Sequence, residues 1–298
     1  LGKSALSEVF LMPRHGRIVY KTFGALNAAR DNAVLVPTYF TGTDASYLPL
    51  IGAGQPLDPA QLFIIIPNML GNGVSDSPST NAVYVPASIA DNVHAQAALL
   101  DTLGVQRLRL AYGWSMGAMQ SLWWAALYPD RVRAVLAVCG TASCWDLNYV
   151  FLEGQKAALQ AGPAAFGRAY AGWAYSAAFF RAGLWRNMGF ESLEDFLTFW
   201  EDDHLTYDPR DLSAMVHSWQ TAHMKPELFE AITAHVVMMP CNTDAYFTET
   251  ETRMEAAMIA HATVETLHSP YGHCAGAPAR FATENDAIAK WMARLLTE

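Results

Sequence analysis

Several short runs of the chain are apolar along most of their length instead of at every second position. They are NAVLVPTYF from Asn32, QLFIIIPNM from Gln61, VQRLRLAYG from Val105 and RVRAVLAVCG from Arg131. A strand with one wet face alternates; a strand apolar on both sides is covered on both sides. Helical patterns lie between the runs, ASIADNVHAQAALLDTLG from Ala87 and GAMQSLWWAALYP from Gly117. Buried strands alternating with helices predict a mostly parallel central sheet with helices on both faces, the α/β class. After Gly140 the alternation stops, and residues 141–229 carry alanines, aromatics and helical patterns with no convincing strand. Within them AALQAGPAAFGRAYAGWAYSAAFF approaches the apolarity of a membrane span, but Gly, Pro and Arg interrupt it, and no stretch reaches roughly twenty apolar residues. Strand patterns resume in AHVVMMPCNTD and ATVETLHSPYGH, before a closing helix, ENDAIAKWMARLLTE. The expected organisation is a core domain, 1–140 and 230–298, interrupted by a helical cap, 141–229.

Composition narrows the partners. In 298 residues, 52% are hydrophobic and 16% charged, so a large core is expected and disorder is not. The net charge is −9 with no basic cluster, which argues against nucleic acid and against an anionic membrane surface. Cys139, Cys144, Cys241 and Cys274 form no CxxC pair, so free thiols in a reducing cytoplasm are the economical reading. The opening LGKSALSEVFLMPRHGRIVYKTFG has no apolar run of secretory length. Nine tryptophans and fourteen phenylalanines exceed a minimal core. They are compatible with a lined cavity for a small-molecule substrate, and equally with a homodimer contact.

Gly113-Trp114-Ser115-Met116-Gly117 fits G-x-S-x-G between a buried strand and an apolar helix. This is the setting of a nucleophile elbow, where small neighbours permit a strained turn that lifts the serine hydroxyl clear of the backbone. A serine attacks a carbonyl only when a base takes its proton, and in this architecture the acid and the base follow in that order. Asp244 lies just past the strand-like HVVMMP, and His273 follows the last strand pattern in SPYGHCAG. Asp202, Asp208 and Asp211 fall in the cap, His268 lies inside a strand pattern and His261 in a loop. His94, His204, His217, His223 and His235 read as surface or packing histidines. The expected triad is Ser115, His273 and Asp244.

Two backbone donors are expected around the oxyanion. One is the Met116 amide at the helix start; the other comes from TYFTGTDAS, at Phe40. Other motifs fail. LGNGVSDSP has Asp76 where a dinucleotide fingerprint needs its third glycine, IGAGQP lacks the lysine of a phosphate loop, and no HExxH occurs. No tightly bound cofactor or metal is called for. The cap tryptophans Trp173, Trp185, Trp200 and Trp219 suggest a largely apolar pocket over Ser115, while Met119, Trp123 and Trp124 read as packing.

From LVPTYFTGT through IIIPNMLGNGVSDSPS and YGWSMGAMQSLWWAALYPDRV to NTDAYF and SPYGH, the chain resembles the α/β-hydrolase superfamily. More narrowly it resembles the homoserine O-acetyltransferase group and its hydrolase relatives; the likeness is loose in the cap. The resemblance implies the α/β-hydrolase fold and the same three triad residues. It also marks three substrate-binding positions. Trp114 stands where that family usually has glycine, Arg186 in GLWRNMGF matches its cap arginine, and Cys274 replaces the aspartate that holds the amino group of homoserine. A neutral thiol cannot supply that charge, which favours a serine hydrolase of esters, or of amides or lactones, over an acyltransferase using acetyl-CoA. A scaffold that keeps the fold without catalysis is the reading from a different class.

Overall fold

Eight strands form one sheet in the computed structural model, which describes residues 7–12 and 16–297. Residues 1–6 and 13–15 of the segment read against a secretory leader lie outside the described residues. In chain order the elements begin with β1 (Glu8–Met12), β2 (Gly16–Phe23), β3 (Ala33–Leu35), β4 (Phe63–Pro67), α1 (Ile89–Thr102), β5 (Leu110–Trp114), α2 (Met116–Leu127) and β6 (Ala134–Val138). Six α-helices follow without a strand: α3 (Asp146–Leu159), α4 (Pro163–Ala174), α5 (Ala177–Ala182), α6 (Leu193–Leu205), α7 (Pro209–Gln220) and α8 (Pro226–Glu230). Then come β7 (His235–Met239), α9 (Glu249–Ala256), β8 (Ala262–Val264) and α10 (Ala282–Thr297).

The spatial order is β1-β2-β4-β3-β5-β6-β7-β8, with β3 to β8 parallel and β2 antiparallel to both its neighbours. Two strands therefore lie ahead of the first expected one. GRIVYKTF buries Ile18, Val19 and Tyr20 and extends the sheet beyond β4.

The doubly apolar runs behave as their pattern requires. Along β6, Val135 and Ala137 enter the core on one face while Ala134, Leu136 and Val138 enter the core on the other. β7 divides in the same way, with Val236 and Met238 opposite Val237 and Met239. Met119 and Trp124 are fully buried in α2, and the Trp123 indole donates to the Ala142 carbonyl at 2.8 Å, so this helix packs as expected. Among the six α-helices after β6, Ser192 starts α6 with a reciprocal pair of bonds to Asp195, whose amide reaches the serine hydroxyl at 3.0 Å and whose carboxylate accepts from the Ser192 amide at 2.8 Å. Among the described residues no helix is long and apolar enough to cross a membrane.

Candidate active site

The nucleophile turn comes from steric limits on both sides of Ser115. A methyl group at Gly113 would sit 2.1 Å from the Gly117 carbonyl carbon, and one at Gly117 would sit 2.5 Å from the Pro37 oxygen. Only glycine lets β5 and the first turn of α2 approach this closely. Ser115 itself has φ 59° and ψ −127°, a conformation costing on the order of 1–3 kcal/mol in a residue with a side chain. Its amide donates to the Val138 carbonyl on β6 at 3.0 Å, which pins the elbow to the neighbouring strand.

The hydroxyl so presented meets His273. Ser115 Oγ lies 2.9 Å from His273 Nε2, and His273 Nδ1 lies 2.9 Å from Asp244 Oδ2. The other carboxylate oxygen, Asp244 Oδ1, accepts from the amides of Tyr246 at 2.7 Å and Phe247 at 3.2 Å. Fixed donors on one oxygen leave the other aimed at the imidazole. The Asp244 side chain is fully buried and that of His273 nearly so. Trp114 stacks on the imidazole with ring centres 5.0 Å apart and donates from its indole to the His273 carbonyl at 3.2 Å. Tyr246 covers the imidazole too, at 4.6 Å. The bulky elbow residue thus braces His273 as well as lining the cavity.

The Met116 amide starts α2, where the helix supplies it no partner, and Phe40 follows the end of β3. Neither amide makes a hydrogen bond among the described residues, so both are free to act as donors. A buried network joins the two elements. The Gln120 side-chain amide donates to the Thr38 carbonyl at 2.8 Å and the Met116 carbonyl at 3.1 Å, and Gln120 Oε1 accepts from Gln96 at 2.6 Å. Gln96 Oε1 in turn accepts from the Trp124 indole at 2.8 Å. A glutamine at a fully buried position of an apolar helix is the sequence signal that could have revealed this network.

Above Ser115 lies a cavity of about 370 Å³. Trp114, Phe40 and Cys274 line it, as expected, together with Tyr170, Trp200, Asp203, His204, Tyr207 and Arg280. Its lining is mixed instead of largely apolar. Of the four cap tryptophans only Trp200 reaches it. Trp219 is fully buried and stacks on Phe247, Trp173 packs on Phe151, and Trp185 is buried beneath Arg186.

Arg186 is not brought to the site. The 3-10 helix Leu184–Met188, set between two left-handed glycines, buries Trp185 and turns Arg186 outward, its guanidinium 4.0 Å above the indole. The cation at the cavity is Arg280, on the loop ahead of α10. His204, read as a surface or packing histidine, packs among Phe166, Tyr170 and Trp200 and also borders the cavity. Cys274 is where the sequence placed it; burial pushes its thiol up to about 11, so it stays neutral.

This sheet order, elbow and hydrogen-bonded Ser–His–Asp line define the class. The chain belongs to the alpha/beta hydrolase fold family, whose model matches residues 34–205. It is 32% identical to the ethyl acetate hydrolase of Pseudomonas veronii over 92% of this chain and 87% of that one. The solved structure of the acetyl esterase MekB superposes with a TM-score of 0.91 at 30% identity, covering 98% of this chain and 97% of that one. The homoserine O-acetyltransferase of Nostoc punctiforme is 38% identical but over 49% of this chain and 45% of its own length. The sequence relatives matched over most of the chain, here the ethyl acetate hydrolase and a probable esterase of Corynebacterium glutamicum, are esterases, and the protein is an enzyme of the serine hydrolase type.

Proposed function

We propose that the chain hydrolyses small carboxylic esters, acetates foremost, through an acyl-enzyme on Ser115. The observation that carries this reading is the unbroken line from Ser115 Oγ through His273 to Asp244 at a strained elbow. His273 Nε2 takes the serine proton as Oγ attacks the ester carbonyl, and Asp244 holds the imidazole with its Nδ1 proton toward the carboxylate. The Met116 and Phe40 amides receive the negative charge that develops on the carbonyl oxygen. His273 then protonates the leaving alcohol; it next takes a proton from water as the water oxygen attacks the acyl carbon, and returns that proton to Ser115 Oγ as the acyl–Oγ bond breaks and the acid leaves.

The small cavity supports a short acyl group, as does similarity to an ethyl acetate hydrolase and an acetyl esterase. The neutral Cys274 thiol beside His273 gives no anchor for an ammonium group, which favours water over an amino-alcohol acceptor. Residues 141–229 act as the cap over a core of 1–140 and 230–298. All four cysteines are unpaired and buried, which supports a reducing cytoplasmic setting.

The test is hydrolysis of p-nitrophenyl acetate and ethyl acetate, with and without homoserine, with products identified by mass spectrometry. Free acetic acid from the wild type, unaffected by homoserine, with turnover lost in Ser115→Ala by at least about 10⁴-fold, is the expected result. Near wild-type rates in Ser115→Ala would refute the assignment, and O-acetylhomoserine would make the enzyme an acyltransferase.

A further inference from the structure

The segment that carries the second oxyanion donor is strained. Thr41, directly after Phe40, has φ 60°, in the left-handed region that a β-branched residue seldom occupies. A conformation of this kind persists only where its surroundings fix it from several sides. The Thr41 hydroxyl reaches the Phe40 carbonyl at 2.6 Å, a bond within the segment that ties it to nothing else. Gln120 holds the Thr38 carbonyl, on the side where the chain enters the loop. The side where it leaves needs its own attachment.

That attachment comes from the residues after β4. The Asn72 side-chain amide donates to the Gly42 carbonyl at 3.2 Å. The Asp44 amide donates to Asn68 Oδ1 at 3.1 Å, and Asn68 Nδ2 returns a bond to Asp44 Oδ1 at 3.3 Å. Asn68 Nδ2 also donates to the Val19 carbonyl on β2 at 3.1 Å, and Asn72 Nδ2 lies 3.3 Å from Asn68 Oδ1. Asn68 is fully buried, and Asn72 and Asp44 nearly so.

The attachment also includes a charge. Asp44 Oδ2 lies 3.2 Å from Lys21 Nζ, and the two side chains are 9% and 14% exposed. Ser7 adds a hydroxyl bond to the same oxygen at 3.0 Å. Among the described residues Lys21 is the only cation paired with Asp44. A carboxylate this deeply buried is tolerated only with its counter-ion in place. Without Lys21 it turns toward water or takes up a proton, and either response loosens its hold on Asn68. Phe40 stands only four residues earlier in the chain.

Lys21 belongs to β2, the antiparallel strand beyond the parallel part of the sheet, where it pairs with Ile66 of β4. Neither Lys21 nor Asp44 lines the cavity, so neither touches substrate. We infer that the Lys21–Asp44 ion pair positions the Phe40 amide for the oxyanion, which makes β2 a working part of the enzyme. This rests on the esterase reading and on Phe40 as the second donor.

The test uses Lys21→Met, which removes the charge and keeps most of the side-chain length, with Lys21→Arg as the conservative rescue. Tyr20→Phe is the control. It deletes the 2.9 Å bond to Glu8 that ties β2 to β1 and leaves Asp44 alone. For each variant kcat and KM are measured on p-nitrophenyl acetate. The inhibition constant of a small trifluoromethyl ketone is measured beside them, because its adduct with Ser115 carries an oxyanion like that of the transition state. Deleting an oxyanion donor costs about 10²–10³ in kcat, and loosening one is expected to cost about 10-fold. Lys21→Met should therefore lower kcat about 10-fold with KM within about twofold, and weaken the ketone by a factor similar to that in kcat. Lys21→Arg should recover most of both, and Tyr20→Phe should keep both at the wild-type level. Wild-type kcat and inhibition in Lys21→Met, with native near-UV circular dichroism, overturns the inference. So does a loss of kcat with unchanged inhibition, or an equal loss in Tyr20→Phe. Should Lys21→Met not fold, the pair Lys21→Met with Asp44→Asn, which leaves no charge unpaired, decides by the same comparison. Ser115-dependent turnover that ignores Lys21 removes this role alone, whereas turnover that survives in Ser115→Ala removes the esterase reading with it.

Discussion

Replacing Gln120 by leucine tests whether the oxyanion loop is aligned by the buried amide network. The substitution keeps a similar volume but deletes the donor to Thr38 and the acceptor for Gln96. The Met116 carbonyl keeps its place in the helix ladder, so two groups are stranded: the Thr38 oxygen and one Gln96 N–H. Thr38, Gln96 and Gln120 are at most 1% exposed, so water does not replace the lost partners. At about 1–3 kcal/mol each, the loss of stability is roughly 2–6 kcal/mol, a large part of a typical domain's margin. Thr38 stands two residues before Phe40, whose amide is the second proposed oxyanion donor. Deleting such a donor costs about 10²–10³ in kcat; displacing it is expected to cost on the order of 10-fold, with KM little changed. Urea unfolding gives the first quantity and initial rates on p-nitrophenyl acetate the second. A variant that loses stability yet keeps wild-type kcat would show that the network only holds the core together, and the coupling to Phe40 would be wrong.

Three further outcomes are expected. Asp244→Asn keeps an oxygen for the Tyr246 and Phe247 amides but turns an NH2 toward His273 Nδ1, so kcat should fall by about 10⁴ while the melting temperature barely moves; a fall below tenfold contradicts the assigned orientation. Gly113→Ala places a methyl group 2.1 and 2.2 Å from Gly117 backbone atoms that cannot rotate away, and should cost at least about 3 kcal/mol together with most activity, read by denaturation and rates. Burial pushes Glu255 from its ordinary 4.5 up to about 7, against the donors of Ala142, Trp145 and Ser143. The folded chain then holds this proton more tightly than the unfolded one. Its contribution of roughly 3 kcal/mol is fully present below pH 4.5, declines as pH rises toward 7 and is absent above. Glu255→Gln should remove that part of the slope of stability between pH 4.5 and 7.

Strands β3 to β7 were legible because burial on both faces leaves unbroken apolar runs, and the elbow because glycines flank its serine. Asp244 and His273 were legible because strand ends deliver side chains to the carboxyl edge of a parallel sheet. β1 and β2 went unassigned although RIVYKTF carries β-branched and aromatic residues between Gly16 and Gly24. Antiparallel pairing to β4 is a long-range fact that local pattern does not encode. Residues 141–229 are harder for a physical reason. Their helices are apolar on several sides, so nothing in the spacing says which ring faces the cavity. Trp200 and Trp219 look alike in the sequence, yet one borders the cavity and the other stacks on Phe247. Arg186 points away from the cavity because a turn between two glycines, not helical periodicity, sets its direction, and the arginine at the cavity is Arg280.

Residues 139–234 join two neighbouring parallel strands, β6 and β7, which pair from Ala134 with His235 to Val138 with Met239. Any such pair needs a crossover, and here the crossover carries the wall above Ser115. Ser115, Asp244 and His273 all lie outside it. The entropy of closing a loop grows only with the logarithm of its length, so crossovers of quite different size fit the same two strand ends. Tyr170, Trp200, Asp203, His204 and Tyr207 in the cavity wall therefore come from a stretch of chain separate from Ser115, Asp244 and His273, while Trp114, Cys274 and Arg280 come from the same stretches as those three. A recombination placed after Trp145 keeps the three donors of Glu255, but the incoming segment must also replace the bonds this one makes beside Asp244 and His273, from Asn148 to the Tyr246 carbonyl and from Ser176 to the Pro270 carbonyl.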